Sequence, residues 1–506
     1  MKYLLAHDIG TSGNKATLFS TEGKMVASEV YSYETNWFNS VWAEQNPEDW
    51  YEAVQSTTAR LLKNIDPADV LGVSFSGQMM GCLCVDREGQ ALLPSIIWAD
   101  MRATEEEAFI RSRIPAEEFY RITGHRPSAS YSLAKLLWIQ KHHPAEYKNC
   151  FKVLNAKDYV LFRLTGEFVT DYSDASGTNL LDINSLQWSQ RIADAVDVEL
   201  DKMPELCKST DVIGSLTPQA AKETGLDPCT KIICGGGDGS MSAVGAKCIA
   251  PGDLFCTLGT SAWNASSTDH PVFDSSMRTF NWVHIVPGLY VPCGTMQAAG
   301  ASVSWLKDQL AGLELKESEN AGTSVYKRMD EMADSAAPGS GGLFYLPYLL
   351  GERSPRWNPD ARGAFIGLKM ETARADIFRS VYEGVAYNLE IILRLILQGD
   401  SPESLVMTGG GARSRVWCQI FADIYNMTIR IPDNLEEATS IGAALTAGVG
   451  LGVYESFEVI DDFIRIEDEI KPGVNNAEFY RDRKSIFEKL YQALSPVYTD
   501  MAAAQK

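Results

Sequence analysis

The sequence predicts an α/β protein made of two domains of related fold. Three observations carry this. Apolar runs with strand patterning mix with runs at helical spacing from the first residues onward. A strand–Gly-Thr-Ser–strand unit occurs twice, at Ile9–Ser12 and Leu258–Ser261, with Gly10 and Gly259 249 residues apart, about half the chain. A strand–Gly-Gly-Gly–helix unit also occurs twice, at Gly235–Gly237 and Gly409–Gly411. A chain of 506 residues is long enough for two large domains and needs no staples to bury a core.

The elements follow in order. Tyr3–Ala6 is apolar, Gly10 to Gly13 turn, Ala16–Ser20 is extended again, and Glu22-Gly23-Lys24 turns the chain into Met25–Tyr33. Trp50, Ala53, Val54, Thr57 and Leu61 share one helical face and predict a helix over Pro47–Asn64. Val70–Ser76 and Cys82–Val85 read as buried strands, the second closed by Asp86–Gly89. Lys231–Cys234 and Leu405–Thr408 enter the two triple-glycine turns, and Ser240–Ala246 and Val416–Tyr425 leave them. A boundary just before Pro251-Gly252-Asp253 divides the chain into domains 1–246 and 247–506. Asp334–Gly342 is the most loop-like stretch and reads as a connection. The last fifty residues read as amphipathic helix.

Composition excludes several classes. The 45 basic residues face 66 acidic ones, a formal charge of −21. Binding to a nucleic-acid backbone or to anionic lipid needs a basic surface, so neither partner is expected. Ten cysteines are too sparse for a disulfide scaffold, and the C-x-C of Cys82 and Cys84 lacks the second pair of a zinc site. All ten are expected to be buried or idle thiols of a reducing compartment. The longest apolar stretch, Gly341–Gly351, is far short of the about 20 residues that span a bilayer. The apolar run at the start is cut by His7 and Asp8, too early for a signal peptide, so a cytoplasmic location is expected.

The residues that suggest chemistry sit at the turns. Asp8–Lys15 reads as a phosphate-binding hairpin: Gly10 and Gly13 admit close approach, Thr11 and Ser12 supply hydroxyls, Lys15 a cation, and Asp8 suits a hydrated Mg²⁺. It is not a Walker A loop. A triphosphate held between two domains needs a cradle on each side, and Gly259-Thr260-Ser261 supplies the second. Asp238 ends a triple-glycine turn and opens a helix. The positive helix end should hold its carboxylate ionised, as a base that takes a proton from a hydroxyl requires. Taken alone, an N-cap aspartate is the simpler reading. Gly410 and Gly411 could seat an adenosine, and tight strand–helix packing explains them equally well. Met79 and Met80 follow Gln78 at the end of a buried strand, where the cleft of an α/β sheet opens.

Together these segments resemble the FGGY carbohydrate kinases, of the actin-like and hexokinase-like ATPase superfamily. Ser130–His142, with Lys135 and Trp138 correctly spaced, and Gly363–Glu383 resemble the two diagnostic stretches of that family. Within it, Val41–Pro47, Gly77-Gln78-Met79, Thr170–Thr178 and Tyr345–Ser354 most resemble xylulokinases. The resemblance implies two RNase H-like domains flanking a catalytic cleft, with ATP, Mg²⁺ and a small sugar as ligands. It implies Asp238 as catalytic base, Asp8 and Asp238 near the metal, and Gln78, Met79, Met80, Trp98, Asp100, Asp238 and Gly239 around the sugar. It places Thr11, Ser12, Lys15, Gly259, Thr260, Gly300, Ser304, Gly410, Gly411 and Arg415 along the nucleotide.

Two positions depart from the xylulokinase pattern: Met80 replaces a histidine, and Gly239 replaces an asparagine. Each removes a group that could bond a sugar hydroxyl. A ketopentose such as D-xylulose is the expected substrate, with L-xylulose, ribulose, a polyol or gluconate as alternatives. For gluconate, Arg102 is the cation in sight. An actin-like ATPase and a catalytically idle sugar sensor are the readings from other classes. The oligomeric state stays open, a homodimer included.

Overall fold

The computed structural model describes residues 1–504. Two mixed sheets organise the chain. The first holds β1 (Tyr3–Ile9), β2 (Gly13–Ser20), β3 (Met25–Ser32), β4 (Val70–Gly77), β5 (Val212–Ser215) and β6 (Lys231–Ile233), in the order β5-β6-β4-β1-β2-β3. Gly236–Gly237 adds a short parallel pairing to β4. The second holds β7 (Leu254–Leu258), β8 (Ala262–Ser266), β9 (Phe280–Val283), β10 (Tyr290–Met296), β11 (Ser404–Thr408), β12 (Thr428–Pro432) and β13 (Ile466–Ile470), in the order β9-β10-β8-β7-β11-β12-β13.

The two sheets share one pattern. Each begins with an antiparallel hairpin whose turn is Gly-Thr-Ser, β1–β2 and β7–β8. Each then runs on from its first strand through parallel neighbours, β1 to β4 to β6 and β7 to β11 to β12. An antiparallel strand closes each sheet, β5 and β13. The repeated turns in the sequence therefore mark a repeated fold, two α/β domains of the RNase H-like kind.

The chain crosses between the two sheets twice, as helices. Asp238–Gly245 leaves the first triple-glycine turn, and Ala438–Gly450 packs against it and against β1 and β4. The crossing works because both helices carry glycine at the contact. A Cβ on Gly245 would lie 1.8 Å from the Ala438 carbonyl oxygen, and one on Gly442 would lie 2.3 Å from that of Met241. The late helix thus docks on the early sheet and ties the halves together around Met241, Val244, Ile441 and Leu445.

One sequence expectation changes. The last fifty residues are not all helix: Ile466–Ile470 is the edge strand β13, paired with β12, with Ile466, Asp468 and Ile470 on the sheltered side and Glu467 and Glu469 exposed. Helix follows over Val474–Ala504. Ser340–Gly342 is a single 3₁₀ turn within a connection, fastened where Glu383 accepts from the Gly339 amide at 2.8 Å. All ten cysteines are free thiols, eight of them buried. Among the described residues, no helix is long and apolar enough to cross a membrane.

Alanine at Gly245 or Gly442 forces side-chain carbon into backbone, and each variant is expected to lose about 1–3 kcal/mol in calorimetric unfolding. Gly312→Ala, where no atom lies within 4 Å, is the control and should change stability by under about 0.5 kcal/mol.

Candidate active site

Sheet register builds the floor of the cleft. Asp8, near the end of β1, lies beside Lys15 on β2 and Ser76 on β4. Its carboxylate accepts a hydrogen bond of 2.7 Å from Thr439 Oγ1, at the start of the Ala438 helix. Glu437, one residue before that helix, takes the Lys15 ammonium as its ion-pair partner and keeps Oε2 buried without a donor. Lys15, expected to face phosphate, is therefore committed to a carboxylate here. Glu437 and Thr439 carried no recognisable motif, because their place on the floor depends on the second half docking on the first.

Asp238 opens its helix beside this group. Gly239 donates its amide to Asp238 Oδ1 at 2.7 Å. The helix end was expected to keep this carboxylate acidic. Instead its pKa is pushed up to about 7, first by burial and then by the charge of Asp8. Desolvation outweighs the helix end, and burial likewise raises Asp8. A base with a pKa near neutrality is matched to accepting a proton from a hydroxyl.

The support for Asp238 comes from Thr170–Thr178. Ser173 Oγ accepts from the Gly237 amide at 3.0 Å and donates to Asp171, which also takes Ser209 Oγ at 2.7 Å. Lys157, fully buried, lies 2.6, 3.3 and 3.6 Å from Asp158, Asp171 and Asp174, and burial beside Asp158 pushes the Asp174 carboxyl well above the usual range. This segment, read as a family signature, holds the turn that carries Asp238.

The acceptor side is mostly apolar. Met79 is buried behind Gly237, where a Cβ would come within 2.5 Å of its sulfur. Met80 adopts a left-handed backbone (φ +63°), and Lys135 Nζ holds its carbonyl at 2.8 Å and that of Ser130 at 2.6 Å. Burial pulls the Lys135 ammonium down to about 7. A Cβ on Gly239 would sit 3.7–3.9 Å from Trp263, Met79 and Trp282, so the glycine leaves room there. Trp263, just beyond the second Gly-Thr-Ser turn, brings the second domain to the first at this point.

The remaining residues divide. Trp98 Nε1 donates to Thr11 Oγ1 at 2.8 Å, and Gln78 Nε2 holds the Gly10 carbonyl at 3.2 Å, so both brace the phosphate hairpin. Gln78 Oε1 is left as a buried acceptor without a donor. Ser12 is exposed at the hairpin tip, as Thr260 is on the opposing turn. Gly300 packs on that turn and spends its amide on the Gly259 carbonyl at 2.9 Å, with half-buried Ser304 one helical turn on. Gly411 lies against Leu258, while Gly410 is open.

Three expectations are corrected. Asp100 cannot reach a sugar: it is fully buried and takes both Arg102 and the Ala43 amide (2.6 Å). Arg102 is likewise spent on Asp100 and Glu44, with its guanidinium 3.9 Å from the Trp42 ring centre. Arg415 is exposed and pairs with Asp468 on β13.

Two related α/β domains, each opening on a Gly-Thr-Ser hairpin, are the architecture of the sugar-kinase and actin-like fold. Residues 3–245 and 254–451 match the N-terminal and C-terminal domain models of the FGGY family of carbohydrate kinases. The chain belongs to this family and is an ATP-dependent carbohydrate kinase. It is 32% identical over 506 residues to a gluconokinase of Bacillus subtilis, covering 100% of this chain and 98% of that one. It is also 32% identical over 510 residues to a xylulose kinase of the same organism, covering 100% of each. A ligand-bound xylulose kinase structure from Lactobacillus acidophilus superposes with a TM-score of 0.92 at 28% identity, covering 99% of this chain and 100% of that one.

Lys135→Met leaves two inward carbonyls without their donor and frees Met80. Unfolding in urea should show a loss of about 1–3 kcal/mol, and the acceptor KM should rise while ADP affinity holds.

Proposed function

We propose that the chain transfers the γ-phosphoryl group of ATP to a primary hydroxyl of a short linear polyhydroxy acceptor. That class takes in ketopentoses such as D-xylulose and aldonates such as D-gluconate. The observation that carries the proposal is Asp238, a carboxylate lifted to about 7 on the cleft floor, between the phosphate hairpin and an apolar wall.

In the reaction the acceptor oxygen attacks the γ-phosphorus as Asp238 takes its proton. The bond from phosphorus to the bridging oxygen breaks, and ADP leaves. Ser12 and Thr260 present hydroxyls to the phosphates from opposite domains. Trp98, Gln78 and Ser173 act at one remove, fixing the hairpin and the Asp238 turn. Approach of Trp263 to Gly239 shuts the acceptor end against water, the competing nucleophile. Among the described residues no three acidic, histidine or cysteine side chains converge as a metal cage. Mg²⁺ needs no such cage: it keeps waters and binds through one or two carboxylates and the phosphates. Asp8 and Asp238 fit it, because their mutual repulsion is what a cation relieves. When bound with ATP, Mg²⁺ would neutralise charge on the phosphates.

Asp238→Asn should cut acceptor-dependent ADP release by at least about 100-fold while calorimetry still detects ADP binding. Retained turnover would remove Asp238 from the mechanism. In the wild type only the ionised carboxylate can act as base. The kcat/KM for the acceptor should therefore fall about tenfold per pH unit below about 7 and level off above it.

A further inference from the structure

Two thiols that the phosphoryl transfer does not use meet where the chain enters the Asp238 turn. Cys207 ends the short strand Glu205–Cys207, which pairs in parallel with Val169–Asp171. Cys234 follows β6 and precedes the triple glycine. Their sulfurs lie 3.2 Å apart, and Cys207 Sγ also reaches the Thr170 carbonyl at 3.4 Å. The backbones on either side are tied twice. Cys234 donates its amide to the Asp211 carbonyl at 3.0 Å, and Gly235 donates to that of Ser209 at 3.0 Å. The contact between the thiols is therefore built into two adjacent segments.

The pair is unequal in access. Cys207 is half-buried, whereas Cys234 is fully buried, and that burial pushes its thiol up. A dissolved peroxide therefore meets Cys207 first. Direct contact then stands in for the nucleophilicity that burial takes from Cys234. Cys84 and Cys150 also adjoin each other, but both are enclosed. Beyond Cys234 the chain has no slack. A Cβ on Gly235 would lie 2.1 Å from the Phe75 carbonyl oxygen, one on Gly236 2.4 Å from Ile285, and one on Gly237 2.5 Å from the Met79 sulfur. A movement of Cys234 is passed along this packed turn to Asp238.

We propose that hydrogen peroxide joins Cys207 and Cys234 in a reversible disulfide, and that this cross-link slows phosphoryl transfer by displacing Asp238. In the first step the Cys207 sulfur attacks a peroxide oxygen, the O–O bond breaks, and a sulfenic acid and water form. In the second the Cys234 sulfur attacks the sulfenic sulfur and the S–O bond breaks. The hydroxyl leaves with the Cys234 proton as water. Two thiols and one peroxide thus give one disulfide and two waters; the sulfurs lose two electrons and the peroxide gains them. A disulfide holds its sulfurs about 2.05 Å apart, so closure from 3.2 Å draws them about 1 Å together. A shift of about 1 Å at the reacting groups can cost about 100-fold in rate. The effect on turnover rests on the kinase reading with Asp238 as base; the disulfide does not.

The experiment treats the reduced protein with hydrogen peroxide and reads two things: tryptic peptides by mass spectrometry, and ADP release with Mg·ATP and D-xylulose or D-gluconate. Peptides Met203–Lys208 and Ile232–Lys247 should appear joined, with the loss of two hydrogens. Turnover should fall by at least about tenfold, and dithiothreitol should restore it. Reduced Cys207→Ser should turn over within about twofold of wild type and keep that rate in peroxide. The peptide measurement uses wild-type protein, so a misfolded variant does not blunt the test. Oxidation confined to the exposed Cys229, or a cross-link between other cysteines, would overturn the site. A Cys207–Cys234 cross-link with turnover unchanged would overturn the displacement of Asp238, as would an equal loss of turnover in Cys207→Ser. Absence of ADP release from the reduced protein with both acceptors would overturn the kinase reading and the effect on turnover, while the joined peptides still decide the disulfide.

Discussion

The contact on which the rest depends is the crossing of the Asp238 and Ala438 helices. Gly245 and Gly442 let two backbones approach where any side chain would strike a carbonyl. Through that crossing, a helix from the second half of the chain lies on the first sheet and delivers Thr439 to Asp8 and Glu437 to Lys15. The cleft floor is therefore assembled from both halves before any ligand arrives. Asp238 begins one of the crossing helices, so its position is fixed by the same packing that joins the domains.

Around that crossing, electrostatics are arranged in two layers. Deep charges are clustered, as Lys157 is with its three aspartates and Arg102 with Asp100 and Glu44. Removing one member of such a set would strand a buried charge, which is costly. Around Asp8 and Asp238 some buried groups are left incompletely paired: Asp238 itself and the free oxygens of Glu437 and Gln78. Ligands supply what the protein has not.

Much of this was legible in the sequence, for reasons that are local. The Gly-Thr-Ser turns and the triple-glycine turns are short motifs whose backbone demands show in residue type, and they located both hairpins and Asp238. Mixed strand and helix patterning gave the fold class. What escaped the sequence depends on distant packing. Glu437 and Thr439 look like any helix start until that helix docks 430 residues from Asp8. Asp100 and Arg102 look like free polar groups until Trp42 and Glu44 enclose them. The ionisation of Asp238 was misjudged because the helix end is visible in sequence and the burial is not.

The central claim is that the cleft directs the γ-phosphoryl group to a carbon-bound hydroxyl and away from water. Phosphorus NMR of a reaction with Mg·ATP and D-gluconate tests it most directly. A primary phosphate ester, its signal split by two methylene protons and formed in step with ADP, is the predicted result. Inorganic phosphate formed in step with ADP, with no ester signal, would contradict the claim.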